Sequence, residues 1–357
     1  MAFQKALLDW FEKNQRKLPW RQNYLPYQVW ISEIMLQQTQ METVVPYFER
    51  WMKVFPSIES LARSPESKVM KHWEGLGYYS RARNLHASAK QIVENHGGVF
   101  PEDHETILSL KGIGPYTAGA IASIAFNQQR PIVDGNVFRV LSRVYAIDKP
   151  IDVEKNRAPF WELQQSLIPK GKARNFNQAL MELGALVCSP VSPNCPHCPV
   201  QKFCKAFQTG NPEAYPVRGK RKKTVKVHAS ALVLKKDGKY FLKKRPVGKI
   251  MGGLWEFPEW KLAQNKSLPF ESILKKTVSL AAEEFSSKKL VLEPLGTIRR
   301  NYTYFNETLS VFLADVSGSP EPLVSKSGWP DAWASRKEFG RFPFSSAHSK
   351  IAGLLKY

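Results

Sequence analysis

The chain has 357 residues, which suggests about two domains, and 43% of them are hydrophobic, which is enough to form cores. Lysine and arginine total 52 against 31 aspartates and glutamates, giving a formal net charge of +21. This excess is spread along the chain and favours a polyanionic partner, with nucleic acid as the first candidate, although a merely cationic protein has the same composition.

The N-terminal segment has a helical pattern and no targeting signal. Residues 3–14 place apolar side chains at helical spacing, directly after Met1. No stretch approaches the roughly 18 consecutive apolar residues of a membrane span, and no signal peptide precedes the helix. We therefore expect a cytoplasmic protein that does not contact membranes.

Two segments near the N-terminus combine aromatic, cationic and carboxylate groups. Leu18-Pro19-Trp20-Arg21 ends the first helix and offers Trp20 for stacking on a base and Arg21 for hydrogen bonds, although a solvated loop with a packed Trp fits equally. Glu33 lies among large apolar residues. Composition favours a surface position for it, but burial beside a pocket would raise its pKa and allow proton donation near neutral pH.

Two glycine-containing turns are candidates for contact with DNA. In 75–83, a turn carrying tyrosines and arginines can push an aromatic ring into a base stack, or can be an ordinary turn between helices. In 110–120, Gly112 and Gly114 flank Ile113 before a helix that we predict to start at Thr117. Free N–H groups at such a helix start suit a phosphate.

A carboxylate follows this hairpin by about twenty residues. Asp134 lies in Asp-Gly-Asn, a sequence typical of turns. The segment therefore combines a phosphate-binding turn with a carboxylate on a loop. The alternative is a plain helix–turn–helix with a turn aspartate, because short glycine motifs often match by chance.

The cysteines form one cluster, Cys188-x6-Cys195-x2-Cys198-x5-Cys204. Four clustered cysteines in an intracellular chain are rarely disulfides, and four thiolates can close around one metal centre. Only one pair has the spacing of a zinc knuckle, so an iron–sulfur cluster is favoured over zinc. A cluster of reduced structural thiols is the remaining alternative.

The composition changes after the cysteines. The basic segment 212–226 is typical of a linker. Strand patterns at 225–234 and 240–243 flank Asp237-Gly238, a hairpin signal, and are followed by a predicted helix at 269–285 and a predicted strand at 309–314. We therefore predict an α+β multidomain chain. Its domains are an all-α domain 1–211 containing the cluster loop 188–204, the linker 212–226, and an α+β domain 227–357.

Taken together, these motifs resemble the helix–hairpin–helix DNA glycosylases that carry a four-cysteine iron–sulfur loop, and among them the MutY adenine DNA glycosylases. The resemblance covers about residues 5–205. The C-terminal half resembles the Nudix-like domain of that family more weakly, best from Lys244 to Pro258. The resemblance of residues 5–205 rests on these segments: Leu18–Arg21, Ser32–Gln40, Gly75–Tyr79, Leu110–Ala120, Asp134–Val137 and the cysteine spacing.

The resemblance implies a role for each matching residue. Excision of a purine leaves an oxocarbenium-like sugar, for which an acid and a carboxylate are suited. Glu33 matches the acid that protonates adenine N7, and Asp134 matches the carboxylate that stabilises the cation. The remaining matches are Tyr116 and Asn136 as supporting catalytic residues, Trp20, Arg21 and Gln178 around the flipped adenine, Gln38 and Tyr78 as wedges in the duplex, Gly112 and Gly114 at phosphate, and the four cysteines as ligands of one 4Fe-4S cluster.

The implied reaction is base excision repair. The enzyme flips out adenine paired with 8-oxoguanine or guanine in double-stranded DNA and hydrolyses its N-glycosidic bond, leaving an abasic site. Tyr116 stands where bifunctional relatives such as endonuclease III carry a Schiff-base lysine, so we predict a monofunctional enzyme. Nearby Lys111 leaves weak lyase activity open. We further expect a nucleoid-associated monomer. A flexible spacer is the favoured interpretation of the basic linker 212–226, and a contact for a clamp or another repair factor is the alternative.

Two departures from the family pattern concern the C-terminal half. The family's Phe-Ser-His-like loop, which reads 8-oxoguanine, matches Tyr302-Thr303-Tyr304, where Thr303 keeps the hydroxyl and Tyr304 replaces histidine. The Nudix hydrolase signature is absent after Gly253, so we do not predict nucleotide hydrolysis. The alternatives to adenine excision are an endonuclease III-like enzyme for oxidised pyrimidines and a non-catalytic DNA-binding protein.

Overall fold

The computed structural model describes residues 2–219, 223–286, 290–302, 304–317 and 325–355. Two compact units are present, one comprising Met1–Arg63 and Asn84–Lys220 and the other comprising Ser64–Arg83 and Arg221–Tyr357. The domain boundaries deduced from the sequence stay a prediction. Thr303 and residues 220–222 of the predicted linker lie outside the described residues.

The helices are α1 (Ala2–Asn14), α2 (Pro26–Leu36), α3 (Met41–Val54), α4 (Ile58–Arg63), α5 (Glu66–His72), α6 (Ser80–His96), α7 (His104–Ser109), α8 (Pro115–Ile124), α9 (Gly135–Tyr145), α10 (Ala158–Leu167), α11 (Ala173–Leu186), α12 (Lys205–Gln208), α13 (Phe270–Phe285) and α14 (Ser346–Leu354). The strands are β1 (Val225–Lys236), β2 (Lys239–Lys244), β3 (Trp255–Glu256), β4 (Glu259–Gln264), β5 (Glu293–Tyr302), β6 (Phe305–Asp315) and β7 (Asp331–Ser335).

The first unit is helical, as the apolar spacing predicts. Its central core joins α1, α9 and α11, where side chains such as Leu7, Val140 and Phe176 are fully or almost fully buried. Each of these helices turns one apolar face inward, which is what stabilises a helix in a globular protein. This packing fixes the start of α9 against α11, where Asp134 and Asn136 lie.

The hairpin between α7 and α8 differs in detail from the prediction. Gly112 has φ +79°, and a Cβ there would come within 2.4 Å of the Asn84 amide nitrogen, so glycine is required. Gly114 is instead an extended N-cap, and α8 begins at Pro115 rather than at the predicted Thr117. Proline suits this first position because it has no N–H to leave unpaired.

The second unit contains a mixed sheet in which β3, β2, β1, β6 and β5 follow one another, with β4 beside β1 and β7 beside β2. The predicted hairpin at Asp237-Gly238 is confirmed, since Lys236 pairs with Lys239 across it. β1 pairs in parallel with β6, from Val225 opposite Phe305 to Lys235 opposite Asp315.

Alternate residues of β1 enter two different cores because side chains of a strand point to opposite faces. Ala229, Ala231 and Val233 belong to the core that includes residues of α14. Leu232 and Leu234 belong to the core that includes residues of α13, the helix predicted at 269–285. The predicted α+β class is therefore confirmed. Within the described ranges, no helix has both the length and the apolar character needed to cross a membrane.

Candidate active site

A cleft opens in the first unit. Residues of α2, α8, α9 and α11, together with the segment around Trp20, line it. Seven of the residues predicted from the sequence as catalytic or substrate-binding lie together in its wall: Trp20, Arg21, Glu33, Tyr116, Asp134, Asn136 and Gln178.

Glu33 is a buried carboxyl group in the wall of the cleft. It lies on α2 and is 4% exposed, so the surface position that composition favoured is wrong. The Tyr116 hydroxyl donates a hydrogen bond of 2.7 Å to its Oε2. The pKa of Glu33 is raised to about 7, mainly by burial and also by the charge of Asp134, while the hydrogen bond from Tyr116 and the charge of Arg21 oppose the shift. Glu33 can therefore hold a proton near neutral pH and give it up within the cleft.

Asp134 is held by the helix that follows it. The turn aspartate of the sequence is the N-cap of α9, with Oδ1 accepting from the Val137 amide at 2.7 Å. Asn136 donates to Oδ2 at 2.9 Å. Burial raises the pKa of Asp134, and these two hydrogen bonds oppose that shift. The second carboxyl group of the cleft thus has donors that favour its charged form.

Close backbone packing fixes the position of this loop. A Cβ on Gly184 of α11 would lie 2.5 Å from the Cβ of Asn136. Any larger residue at position 184 would push the start of α9 away from α11. The sequence gives no sign of this requirement, because it depends on a contact between segments 48 residues apart.

The wall of the cleft also contains buried ion pairs that the sequence analysis did not identify. Glu182 has a fully buried side chain, and Arg16 and Arg21 both donate to it, Arg16 at 2.8 Å. The only sequence signal is that Gln178 and Glu182 share a helix face at i, i+4. Trp20 is 5% exposed and packs edge-on against Phe48, with ring centroids 5.1 Å apart.

Other predicted residues lie elsewhere in the described chain. Gln38 is exposed, has φ +56° and is not among the residues that line the cleft. Gly112 and Gly114 form the turn before α8. Tyr78 belongs to the second unit, is 48% exposed and has φ +46°. Their roles stay predictions, and Thr303 lies outside the described residues.

The four cysteines line one pocket in the first unit. Burial raises the pKa of Cys195 and Cys204, and that of Cys198 to about 12, so the thiols have little tendency to ionise by themselves. Arg143 donates to the sulfur of Cys188 at 3.3 Å. Four sulfur donors around one cavity suit an iron–sulfur cluster, which is bound by thiolates. Among the described residues, no group of three or more His, Cys, Asp or Glu is placed to hold a metal ion by itself.

Arg139 connects the cysteine loop with the loop of Asp134, and the sequence analysis did not identify it. It donates to the backbone oxygen of Cys188 and to that of Gly184, each at 2.7 Å. It also donates to Oδ1 of Asn136 at 2.8 Å. One side chain thus contacts the backbone of a candidate cluster ligand and the neighbour of a candidate catalytic carboxylate.

Comparisons with known proteins agree with this geometry. Residues 31–165 match the HhH-GPD superfamily of base excision DNA repair proteins, and residues 229–353 match the NUDIX domain. An adenine DNA glycosylase of Rattus norvegicus is 33% identical over 98% of this chain and 77% of its own length. The chain belongs to the adenine DNA glycosylase family.

Other adenine DNA glycosylases give the same assignment. The Homo sapiens protein is 33% identical over 98% of this chain and 73% of its own length. A protein of Buchnera aphidicola from Acyrthosiphon pisum is 39% identical over 72% of this chain and 74% of its own length.

Solved structures resemble the helical part of this adenine DNA glycosylase family member. A thermostable thymine-DNA glycosylase matches 58% of this chain and 96% of its own chain, with 30% identity and a TM-score of 0.53. A trapped endonuclease III–DNA covalent intermediate matches 58% of this chain and 94% of its own with a TM-score of 0.51, and its 21% identity speaks for the fold alone. The helix–hairpin–helix glycosylase fold predicted from the sequence is confirmed.

Proposed function

We propose that this protein hydrolyses the N-glycosidic bond of adenine paired with 8-oxoguanine or guanine in double-stranded DNA, leaving an abasic site. One observation carries the proposal. Glu33, with a pKa near 7, lines the same cleft as Asp134, whose carboxylate has two donors. An acid beside a carboxylate is the pair that glycosidic bond cleavage needs.

Glu33 supplies the proton. The neutral carboxyl donates to adenine N7, and the bond between C1′ and N9 then breaks with its electron pair moving to the protonated purine. The carboxylate left on Glu33 takes a proton from the water that adds to C1′. The acid is restored and the sugar carries a hydroxyl group, so protons and electrons balance.

Asp134 stabilises the intermediate stage. Loss of the purine leaves positive charge on C1′ and the ring oxygen, and a fixed carboxylate lowers the energy of that charge in a partly dehydrated cleft. Asn136 and the Val137 amide keep the Asp134 carboxylate oriented. Arg139 in turn holds the Asn136 side-chain oxygen.

The enzyme is monofunctional in this proposal. A lyase step needs an uncharged amine that attacks C1′, and Tyr116, which stands where the bifunctional relatives carry a lysine, does not offer one. Among the described residues that line the cleft, none is a lysine. Lys111, the nearby lysine of the hairpin, is exposed and is not among the residues that line the cleft. Its backbone oxygen accepts from Ser88 at 2.8 Å.

DNA is bound through positive charge and backbone amides. The net charge of +21 attracts the polyanion, and the turn at Gly112 before α8 presents the N-terminus of a ten-residue helix to a phosphate. In this proposal Tyr302 and Tyr304 lie near the base opposite adenine. The clamp contact expected for the linker stays a prediction.

The four cysteines hold one 4Fe-4S cluster in this proposal. Bound there, the cluster would cross-link residues 188–204 into one rigid loop. The test is iron and sulfide content together with visible absorption of the purified protein. Cys198→Ala should lower all three and weaken DNA binding, whereas unchanged iron content in that variant would contradict the ligand set.

The activity is tested in single-turnover reactions on three duplexes. These contain adenine opposite 8-oxoguanine, adenine opposite thymine, and an oxidised pyrimidine, with strand breaks scored before and after hot alkali. Breaks on the first duplex that appear only after alkali are the expected result. Breaks without alkali on the oxidised-pyrimidine duplex would contradict the proposal and favour an endonuclease III-like enzyme.

A further inference from the structure

The first part of the basic linker is bonded to the first unit. We call residues 211–219 the strap. The Ile151 amide, in the segment after α9, donates to the backbone oxygen of Val217 at 3.1 Å. The Gly219 amide donates to Oδ2 of Asp152 at 2.9 Å. This part of the linker therefore differs from the flexible spacer that the sequence favours, and it belongs to the first unit.

The other end of the strap lies against the cysteine loop. Pro212 lines the same pocket as the four cysteines. Oε1 of Glu213 accepts from the backbone amide of Ser192 at 2.9 Å, in the part of the loop between Cys188 and Cys195. The strap thus contributes to the surroundings of the cysteines and bonds to the loop that carries them.

Arg143 on α9 joins the strap to the start of the cysteine loop. It is 1% exposed, and its Nε donates to the backbone oxygen of Tyr215 at 3.1 Å. Its other nitrogens donate to the backbone oxygens of Ser189 at 2.7 Å and Pro190 at 3.0 Å, and to the Cys188 sulfur. A buried guanidinium that loses its acceptors is costly. The strap and the loop are therefore expected to stay bonded to Arg143 together or to leave it together.

The cysteine loop has little regular structure to keep it closed. In the fully described stretch from Cys188 to Cys204, the regular elements are the short 3-10 turns Cys195–His197 and Gln201–Phe203. Closing such a loop costs conformational entropy, and binding of one cluster by four thiolates supplies the cross-links that offset this cost. The closed loop then keeps its backbone in place for Arg143 and for the strap.

We propose that cluster binding and strap docking are coupled, so that loss of the cluster releases residues 211–219 from the first unit. The inference rests on the proposed function, which assigns a cluster to the four cysteines. With the strap docked, residues 220–224 connect the first unit to β1, whereas release lengthens this connection to 211–224. A longer flexible connection lowers the effective concentration of the second unit at DNA held by the first. Cluster content thereby sets the length of the tether between the units.

The first test is amide hydrogen–deuterium exchange of the full-length protein, with iron and sulfide measured on the same sample. In the cluster-loaded wild type the strap should be protected, because the amides of Asn211, Tyr215 and Gly219 are donors in the structure. In Cys198→Ala we expect exchange in the strap to be about tenfold faster or more, while α2 and α8 keep the wild-type exchange. Equal exchange of the strap in the two proteins would overturn the inference.

The second test works in the opposite direction and does not depend on the folding of Cys198→Ala. Coupling is reciprocal, so a weakened strap should raise the population of open cysteine loops, from which a chelator removes iron. The double variant Asp152→Ala, Glu213→Ala removes two strap bonds, both to backbone amides of residues other than cysteine. We expect iron loss about tenfold faster than in the wild type. The control Asp148→Ala, Glu154→Ala removes two exposed carboxylates nearby and should lose iron at the wild-type rate.

The results separate failure of this inference from failure of the proposed function. Equal rates of iron loss in the strap variant and the control variant would overturn the inference, whatever the folding of Cys198→Ala. A wild-type protein that holds no iron and sulfide after reconstitution would instead overturn the assignment of the cluster to the four cysteines.

Discussion

Glu33 in the first unit and Glu259 in the second are both deeply buried carboxyl groups, yet their pKa values shift in opposite directions. Burial dominates at Glu33, whose pKa rises to about 7 although the Tyr116 hydroxyl donates to it. Burial also opposes ionisation at Glu259, but His348, Arg300 and Arg245 outweigh it and hold that pKa well below its ordinary value. The number of cationic partners, and not burial, separates the two regions.

This contrast distinguishes a reactive group from a structural one. A carboxyl group with a pKa near neutrality can both give and take a proton at working pH. A carboxylate enclosed by cations keeps its charge and fixes its surroundings instead. In the proposed function, the site of proton transfer is the cleft that contains Glu33, whose charged form has few stabilising partners. Glu259 in the second unit is kept ionised by its neighbours instead.

The largest expected effect is that of Glu33→Gln. The amide cannot give up a proton to adenine, so the excision rate should fall about 100- to 10,000-fold. DNA binding should stay within a few-fold, because the side chain keeps its shape. Single-turnover rates and gel-shift titrations on one duplex measure both quantities. Glu49→Gln on the exposed face of α3 is the matched control, and near-normal excision by Glu33→Gln would mean that another group is the acid.

Arg300→Met should destabilise the second unit by about 3 kcal/mol or more, because Glu259 and Glu307 lose a buried partner. Faster hydrogen–deuterium exchange in β5 and β6 of the full-length protein is the expected sign. Arg299→Met changes the adjacent, exposed arginine and should leave exchange unaltered. Equal exchange in the two variants would show that the ion pairs of Arg300 with Glu259 and Glu307 contribute little to stability.

Glu33 should also make stability depend on pH. Its folded pKa of about 7 lies above the unfolded value of 4.5, so the folded state keeps a proton that the unfolded state releases between those values. The contribution of Glu33 to the free energy of unfolding is therefore complete below pH 4.5 and is lost as the pH rises through 7. Relative to Glu33→Gln, the wild type should lose about 2–3 kcal/mol between pH 5 and pH 8. Urea unfolding at both values tests this, and a pH-independent difference would contradict a buried, raised pKa.

The smallest effect is expected for Tyr116→Phe. The hydroxyl lowers the pKa of Glu33, so its loss should move the midpoint of the pH–rate profile upward. Tyr145→Phe on α9, whose ring lies at the edge of the helical core, is the control. A midpoint that moves downward would mean that Tyr116 does not donate to Glu33 in the complex with DNA.

Local patterns predicted the elements that depend on neighbouring residues. The hairpin at Asp237-Gly238, the helix now seen at Phe270–Phe285 and the strand around 309–314 all follow from spacing and turn residues. The parallel pairing of β1 with β6 joins segments about 80 residues apart, and no local pattern specifies it. For the same reason, the sequence does not show that residues 64–83 pack within the second unit.

The sequence predicted some residues of the candidate site and missed others, because some of them depend on contacts between distant segments. Family motifs identified Glu33, Asp134 and Tyr116 as candidates, and the structure places them in one cleft. The burial of Glu182 depends on Arg16 and Arg21, which are more than 160 residues away in the chain. Helical spacing indicates that such a glutamate shares a face with Gln178, but not which cations meet it.

The measurement that tests the central claim most directly is the pH dependence of single-turnover excision of adenine opposite 8-oxoguanine. A raised pKa at Glu33 predicts a rate constant that is highest below pH 7 and falls about tenfold per pH unit above it, because only the protonated acid acts. The residual rate of Glu33→Gln should lack this fall. The central claim is that burial keeps Glu33 protonated near neutral pH, so that it can act as the acid. A wild-type rate that is constant through pH 7, or that already falls near pH 4.5, would contradict this claim.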